Sequence, residues 1–460
     1  MRFQLPIAST HLRSRPSSTA RLVNCYAEQL PPDAKSSVLL SRTPGIPDWT
    51  TVGNGGIHGV HAALGSLFVV SGTKLYEVDE NGTATELGDV GTVGNLDIDS
   101  NGDTVVVVNE PNAFYWDGTT FGQITDADFT SRGAADVEFV DNWLLFREPN
   151  SGRFFGADLG SATSFDALNF ATAEGFPDDL VGLKVDHRDV MLFGSKTVEL
   201  WTNTGIAGFP FERVTNGFLE IGCLNGRTVA KQDNSVFWLA DDYTVRRLEG
   251  TTPQRVSTHS VEQSIVDATV GAAIGFSYSQ DGHLFYVLSF PEVTLVYDAT
   301  TQRWHERKSY GQDNWRVSSS AQAYGMEIVG DSTSNKVGYL DPETYEEFGG
   351  TLVMEWTYQP VYAEQRLAFH DRLEIVLESG VGLTSGQGSD PQMMLSYSND
   401  GGQTWTALPT RDIGAIGRYD TRVSWSRLGS ARQRVYRASV SDPIPVNLTD
   451  TVIEVREGRL

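Results

Sequence analysis

The sequence predicts an all-β protein, namely a β-propeller of six or seven blades followed by an antiparallel β-sandwich. Three observations support this prediction. A pattern of apolar run, tight turn and alternating strand recurs through residues 56–350. Asn-Gly and Asp-Gly pairs stand between many of these strands, as tight hairpins require. The strands in residues 351–460 alternate more strictly, which is typical of a sandwich with one buried and one solvated face on each sheet.

Residues 1–55 are predicted to form an extended segment. Pro6 and Pro16 oppose an amphipathic helix because proline lacks an amide donor. The stretches VNCYAEQLP (23–31) and RTPGIPDW (42–49) have the pattern of a strand followed by a Pro-Gly turn. We therefore expect this segment to pack on the C-terminal domain or on a neighbouring subunit. A targeting peptide is the alternative, because the segment begins rich in Arg and Ser and poor in acids.

The repeat in residues 56–350 has its clearest copy at residues 66–87, SLFVVSGTKLYEVDENGTATEL. Its apolar runs recur every 38 to 48 residues or so, which is roughly the length of a propeller blade. A lone four-stranded blade has too little core to be stable, and radial closure leaves few free edges. A large β-sandwich with irregular meanders is the alternative, because the spacing drifts and no WD or kelch signature is present. The runs centre near Val69, Val107, Leu145, Leu192, Phe237, Phe285 and Ile328.

Composition limits the possible functions. The chain has 35 Lys and Arg against 59 Asp and Glu, a formal net charge of −24. This balance opposes general adhesion to nucleic acid, which depends on neutralising phosphates with basic side chains. No apolar run approaches the roughly 20 residues that cross a bilayer, so no membrane insertion is expected. Cys25 and Cys223 form no disulfide framework. The best helix candidate is short, at residues 260–268 (SVEQSIVDA).

Arginines are concentrated in residues 411–437, where the only acids are Asp412 and Asp420. One interpretation is a solvated strand face. The other is a docking surface for a protein partner, because the guanidinium group makes bidentate contacts with carboxylates and is enriched at interfaces. The arginines of this block are Arg411, Arg418, Arg422, Arg427, Arg432, Arg434 and Arg437.

A single Asp-box pattern, SNDGGQTW, covers residues 398–405. It predicts a structural turn in which Ser398 and Asp400 bond turn amides, Gly402 permits the bend and Trp405 anchors the hairpin to the core. Asp boxes recur in sialidases, so a carbohydrate-binding or sialidase-like propeller is the alternative function. Glycoside cleavage needs a pair of carboxylates, or a carboxylate with a tyrosine nucleophile, and no such cluster stands out from ordinary turn acids.

No catalytic, metal-binding or cofactor-binding residues are predicted. The stretch DIDSNGD (97–103) resembles the start of a calcium loop, but Val108 occupies the position of the bidentate glutamate. The eight histidines are scattered without the spacing of metal ligands. Nucleophile-elbow, Walker and dinucleotide-binding motifs are absent in their required context. The sequence therefore predicts a protein that is not an enzyme.

Several segments, in order along nearly the whole chain, carry a family resemblance. They are VNCYAEQLP (23–31), RTPGI (42–46), SGTKLYEVDENGTATELGDV (71–90), FGSKTVELWTNTG (193–205), LVYDATTQRW (295–304) and YDTRVSWSRLGSARQRVY (419–436). With these segments the chain resembles the packaged-DNA stabilisation proteins, or tail hub (nozzle) proteins, of P22-like short-tailed bacteriophages. The arginine-rich segment 419–436 is the most distinctive of them.

The resemblance implies a non-enzymatic virion component of the phage tail, assembled in the host cytoplasm. It implies a homo-hexameric ring below the portal-adapter complex, where the ring extends the DNA channel. The implied neighbours are a tail needle or plug and tailspikes or tail fibres, with DNA as a transient cargo. The ring would retain packaged DNA and guide it during ejection. We expect acidic blade loops to face the lumen and the arginine block to dock the adapter or the next subunit.

Overall fold

The computed structural model describes residues 3–10, 18–363 and 366–458. Pro16, on which the prediction for the N-terminal segment partly depends, lies outside these residues. Four strands precede the first blade: β1 (Arg21–Val23), β2 (Cys25–Gln29), β3 (Val38–Arg42) and β4 (Asp48–Thr51).

The first three blades are four-stranded antiparallel sheets. Blade 1 contains β5 (Ile57–Ala63), β6 (Ser66–Ser71), β7 (Lys74–Val78) and β8 (Ala84–Asp89). Blade 2 contains β9 (Leu96–Ser100), β10 (Val105–Asn109), β11 (Asn112–Trp116) and β12 (Phe121–Gln123). Blade 3 contains β13 (Asp136–Val140), β14 (Trp143–Arg147), β15 (Arg153–Ala157) and β16 (Phe165–Thr172).

The remaining blades follow the same order. Blade 4 contains β17 (Leu180–Asp186), β18 (Asp189–Gly194), β19 (Val198–Asn203) and β20 (Phe211–Leu219). Blade 5 contains β21 (Ala230–Gln232), β22 (Ser235–Leu239), β23 (Val245–Glu249) and β24 (Thr252–Arg255). Blade 6 contains β25 (Ile274–Gln280), β26 (His283–Ser289), β27 (Thr294–Asp298) and β28 (Arg303–Arg307). Blade 7 contains β29 (Val317–Ala323), β30 (Met326–Asp331), β31 (Lys336–Tyr339) and, from the N-terminal segment, β4.

The propeller is therefore seven-bladed, and β4 closes it. β4 pairs antiparallel with β31, so the outer strand of the last blade comes from the start of the chain. The inner strands β29 and β5 contact each other, which completes the ring. The predicted apolar runs are the second strands of the blades, where Val69 and Val107, for example, are fully buried. The all-β propeller prediction is confirmed.

The strands after blade 7 are β32 (Glu346–Glu347), β33 (Gly350–Thr351), β34 (Met354–Thr357), β35 (Val361–Tyr362), β36 (Ala368–Leu377), β37 (Gln392–Ser398), β38 (Thr406–Ala407), β39 (Arg411–Asp412), β40 (Val423–Ser426), β41 (Ser430–Ala431), β42 (Gln433–Val440) and β43 (Asn447–Glu457). Most of them form the sandwich together with β1, β2 and β3. The first sheet of the sandwich continues blade 6, because β1 pairs parallel with β28 and antiparallel with β34, followed by β42, β37 and β38. The second sheet has the order β2, β3, β43, β36 and β40.

The two domains bury their cores differently. In the sandwich, Trp356, Trp425 and Tyr436 belong to one apolar cluster between the two sheets. In the propeller each cluster lies between neighbouring blades, as where Val106 of blade 2 packs with Phe146 of blade 3. Apolar burial therefore holds each blade to the next.

Helices are few and short among the described residues. They are α1 (Ala127–Thr130), α2 (His259–Val266) and the 3-10 turns Gly226–Thr228 and Val270–Ala272. The predicted helix at residues 260–268 corresponds to α2, whose first turn is capped by the Thr258 hydroxyl. No helix in this part of the chain is both long and apolar enough to cross a membrane.

Candidate docking surface

The outer face of the second sheet is formed by β36, β40 and β43. On β36, Ala368 and Leu373 lie in the core while Phe369 and Glu374 point outward, because a bulge between His370 and Arg372 shifts the alternation by one residue. β40 pairs with β36 so that Glu374 stands opposite Ser424, and β40 is the strand of this sheet furthest from β2 in the sheet order. β2, at the opposite edge of this sheet, contacts β28 of blade 6, so β40 is the strand most distant from that contact in the sheet order.

Carboxylates on this face are paired with arginines. Glu374 accepts two hydrogen bonds from Arg422, at 2.7 and 2.9 Å, and a short one from Arg372. Arg456 makes a two-pronged contact with Asp371, one bond measuring 2.8 Å. The Arg422 guanidinium holds the pKa of Glu374 below its usual range, and Arg456 does the same for the pKa of Asp371. Both acids therefore stay charged well into the acidic range.

Two further arginines at the same end are exposed. Arg427 follows β40 with a positive φ of 58°, and its amide donates to the Asp371 carbonyl at 2.8 Å. Arg432 links β41 to β42. Neither guanidinium forms an ion pair within residues 3–10, 18–363 and 366–458. Arg418, also exposed, lies 3.2 Å from Asp412.

Large apolar side chains border these arginines. Phe369 is 41% exposed and Tyr362 is 70% exposed. β36 pairs with β41 at Phe369 and Ser430, and β35 pairs with β42 at Tyr362 and Gln433, so both rings lie at the Arg432 end of the sandwich. We call this surface the distal face, and we define it as Tyr362, Leu367, Phe369, Arg372, Arg422, Arg427, Arg432 and Arg456.

The structure does not bring the predicted arginine block together on one surface. Arg434 is only 2% exposed; it donates to the Leu428 carbonyl and to Asn399, and it covers the Tyr397 ring at 4.2 Å. Arg437 lies on the first sheet, 3.7 Å from Glu355. β40 and β42 belong to different sheets, and successive residues of a strand face opposite sides of its sheet. Arginines that are close in the sequence are therefore separated in space.

The Asp-box turn has the geometry of a self-contained hairpin. The Ser398 hydroxyl donates to Asp400 at 2.6 Å and accepts from the Gly402 amide at 2.8 Å. Asp400 also accepts from the Thr404 amide and hydroxyl. These donors, the Ser398 hydroxyl first, hold the pKa of Asp400 far below its usual value. Gly402 has a φ of +90°, a conformation that favours glycine.

Trp405 differs from its predicted role as a core anchor. Its indole is half-buried, and the Arg437 guanidinium lies 4.2 Å from its ring centroid. Both side chains border a cavity of about 430 Å³ between sandwich and propeller, where Arg21 forms a bidentate pair with Glu306. The hairpin therefore lies beside the junction of the two domains.

A set of charged residues that the sequence prediction missed lies on the inner strands of blades 2, 3 and 4. Asp97 accepts the Val137 amide of blade 3 at 3.0 Å, and Glu138 accepts the Val185 amide of blade 4 at 3.1 Å. Lys184 forms a short ion pair with Glu138. Burial raises the pKa of Asp97 to about 7 although Lys184 opposes the shift. The signal in the sequence is a charged residue within a short, otherwise apolar strand, as in DVEFV (136–140) and LVGLKVD (180–186).

These inner strands enclose the axial channel of the propeller. Its cavity measures about 210 Å³ and is lined by residues of all seven inner blade edges, including Asp97, Lys184 and Arg227. A cavity of this volume has room for a few water molecules, each of which takes about 30 Å³ in the liquid, and not for a DNA duplex. The candidate calcium loop provides no metal site: Asp97 and Asp99 bond to blade 3 amides. In the described residues no group of three or more His, Cys, Asp or Glu could hold a metal ion.

The fold is that of an all-β protein in which a β-propeller is joined to a β-sandwich. Family models support a narrower statement: the β-propeller of bacteriophage P22 Gp10 matches residues 4–345, and the β-sandwich of bacteriophage P22 Gp10 matches residues 355–456. The chain belongs to the bacteriophage P22 Gp10 family of phage structural proteins. The resemblance noted from its sequence segments is thereby confirmed.

Other comparisons add little. No curated protein matches the chain. Among solved structures, the crystal structure of the computationally designed Ika8 protein is similar, with 15% sequence identity, a TM-score of 0.40, and coverage of 64% of this chain and 100% of that one.

Proposed function

We propose that the chain is the tail hub, or nozzle, of a short-tailed phage. Six copies form a ring below the portal-adapter complex, extend the DNA channel, retain packaged DNA and guide it during ejection. The ring is assembled in the host cytoplasm and contacts a needle or plug and the tailspikes or fibres. The observation that carries the proposal is the match of both Gp10 domain models, which together span nearly the whole chain.

The distribution of charge supports a conduit role. Residues 56–350 hold 18 of the 35 basic and 43 of the 59 acidic residues, so the propeller region carries −25 and the rest of the chain +1. An acidic wall repels the DNA backbone within about 8 Å at physiological ionic strength. A lumen lined by propeller loops would therefore keep DNA from adhering while it passes.

The size of the axial channel adds a constraint. Because the cavity on the propeller axis is about 210 Å³ and lined by paired charges, the DNA path is not the hole of each propeller. In the proposed ring the path is the space enclosed by the copies, and each propeller acts as a rigid wall.

The experiment that tests this function is electron microscopy of the chain mixed with a portal-adapter complex. We expect a six-fold ring directly below the adapter, with acidic propeller loops towards the axis. A chain that stays unbound at micromolar concentration, or a ring whose lumen is basic or apolar, contradicts the proposal.

The distal face gives a second test. The double variant combines Arg422→Glu, which places a second carboxylate beside Glu374, with Arg427→Glu, which reverses the charge of an exposed side chain. We expect the variant to lose docking to the adapter or to the next subunit. The fold is retained because both side chains are exposed. Arg188→Glu is the matched control, since Arg188 is equally exposed and paired, but with Asp141 on the propeller. Unchanged assembly of the double variant refutes the docking role.

A further inference from the structure

The outer edge of blade 3 carries an unusual apolar surface. Its edge strand β16 bulges between its pairings with Phe155 and Ala157, and Leu168 in this bulge is 77% exposed. Phe170 and Phe176, which follow in the chain, are also exposed. Edge strands with protruding apolar side chains are surfaces for association unless another element covers them.

The same edge is acidic. Residues 165–176, from the start of β16 onward, contain two acids, Asp166 and Glu174, and no Lys or Arg. Asp166 and Glu174, on either side of Leu168 and Phe170, are exposed. We call this surface the blade 3 edge, and we define it as Asp166, Leu168, Phe170, Glu174 and Phe176. Two arginines border this surface: Arg132 and Arg153 lie 5.2 and 5.4 Å from the centre of the Phe170 ring, and Arg132 also donates to the Ala167 carbonyl.

The distal face is complementary to this edge in both charge and polarity. It combines exposed Phe369 and Tyr362 with Arg427 and Arg432. Such an aromatic and arginine composition is typical of interface centres. The blade 3 edge therefore presents apolar side chains flanked by acids, and the distal face presents apolar side chains flanked by arginines.

The two surfaces lie on different domains. The sandwich is attached through β1 to blade 6, and blade 3 is three positions away in the ring of seven. Within its sheet, the distal face lies around β36 and β40, away from β2, which contacts blade 6. A contact between two different surfaces of identical copies is head-to-tail, and repeated rotation can close it into a ring.

We propose that the distal face of one copy binds the blade 3 edge of the next copy, and that this contact builds the ring. The inference rests on the proposed ring function, for which it supplies the subunit interface. Each copy then uses both surfaces once, and no copy in a closed ring leaves either surface free.

The test uses two full-length variants, each with one surface disabled. Leu168→Asp breaks the blade 3 edge, and Arg427→Glu with Arg432→Glu breaks the distal face. Tyr310→Asp is the matched control, because Tyr310 is 72% exposed but lies on neither surface. Circular dichroism and melting temperature check that all variants are folded. Particle mass is measured by mass photometry, with and without the adapter.

Wild type and Tyr310→Asp are expected to form rings, and each disabled variant alone is expected to remain monomeric. A one-to-one mixture of the two disabled variants is expected to stop at dimers, because only one intact contact can form. Rings from either disabled variant, or a monomeric mixture, overturn the inferred interface while leaving the ring function in place. A wild type without rings, even on the adapter, overturns the proposed function itself.

Discussion

Acidic side chains serve opposite purposes in the propeller channel and on the distal face. In the channel, Asp97 and Glu138 each accept a main-chain amide from the next blade, and burial raises the pKa of both. On the distal face, Glu374 meets Arg422 at the surface, and its pKa is lowered. The buried acids tie one blade to its neighbour, whereas Glu374 pairs with an arginine that is itself exposed to solvent.

The largest loss of stability is expected when the buried Arg434 is replaced, in contrast to the exposed Arg432. Arg434→Met removes hydrogen bonds to the Leu428 carbonyl and to Asn399 and leaves buried acceptors unsatisfied. We expect a loss of about 3 kcal/mol in the free energy of unfolding, measured with urea. Arg432→Met, two residues away and exposed, is the control and should change stability little. Equal losses would show that the two arginines are not in different environments.

A somewhat smaller effect is expected inside the channel. Burial opposes the charge of Lys184, yet Glu138 and Asp97 together raise its pKa above the usual value. Lys184→Met leaves these carboxylates without their cation and should cost about 2 to 3 kcal/mol of unfolding free energy, less than for a fully buried pair because the side chain is partly exposed. Lys196→Met removes an exposed pair with Asp241 and is the control. If Lys184→Met is as stable as the wild type, the ion pairs of Lys184 do not hold the blades together.

The pH dependence of Asp97→Asn tests the raised pKa. A carboxyl with a folded-state pKa of about 7 and an ordinary value of 3.8 stabilises the fold fully below pH 4, and this contribution is lost as pH rises to about 7. Asparagine removes that loss while keeping an oxygen for the Val137 amide. The variant should therefore gain about 1 to 3 kcal/mol over wild type between pH 4 and pH 8. Melting temperatures across this range would show it, and a constant difference would contradict it.

The smallest change in stability is expected for Asp400→Asn. This substitution should destabilise the protein at neutral pH, whereas Asp97→Asn should stabilise it. The pKa of Asp400 is lowered, so its contribution is present above the ordinary value of 3.8 and is lost as pH falls towards the folded-state pKa. Asp400→Asn should lower the melting temperature slightly at pH 7, and the difference should shrink below pH 4. A difference that grows on acidification would mean that the hairpin does not stabilise the charged form.

Much of the fold could be predicted because it is local. The second strand of each blade is buried on both faces, so its apolar run is visible in the sequence, and residues such as Asp281 and Gly282 form a hairpin with positive φ. Closure by β4 was not visible, because pairing with β31 joins segments far apart in the chain and leaves no local signal. The seventh blade therefore needed the structure to complete it.

The candidate site was less predictable. The segment 411–437 indicated an arginine-rich surface, but strand alternation could not tell that Arg434 belongs to the core while Arg427 is exposed. The blade 3 edge was missed altogether, since Leu168 and Phe170 in sequence have the pattern of an ordinary strand. Only the bulge in β16 shows why these side chains point to solvent.

The use of β4 as the outer strand of blade 7 has a consequence for synthesis. On the ribosome, β4 emerges early but can find its partner only after β31 has been translated, and β1 to β3 must wait longer still for the sandwich strands. Pairings between such distant segments form slowly because a long loop has to close first. A nascent chain interrupted anywhere before residue 336 therefore remains an open array of blades, because it lacks the strand with which β4 closes the propeller.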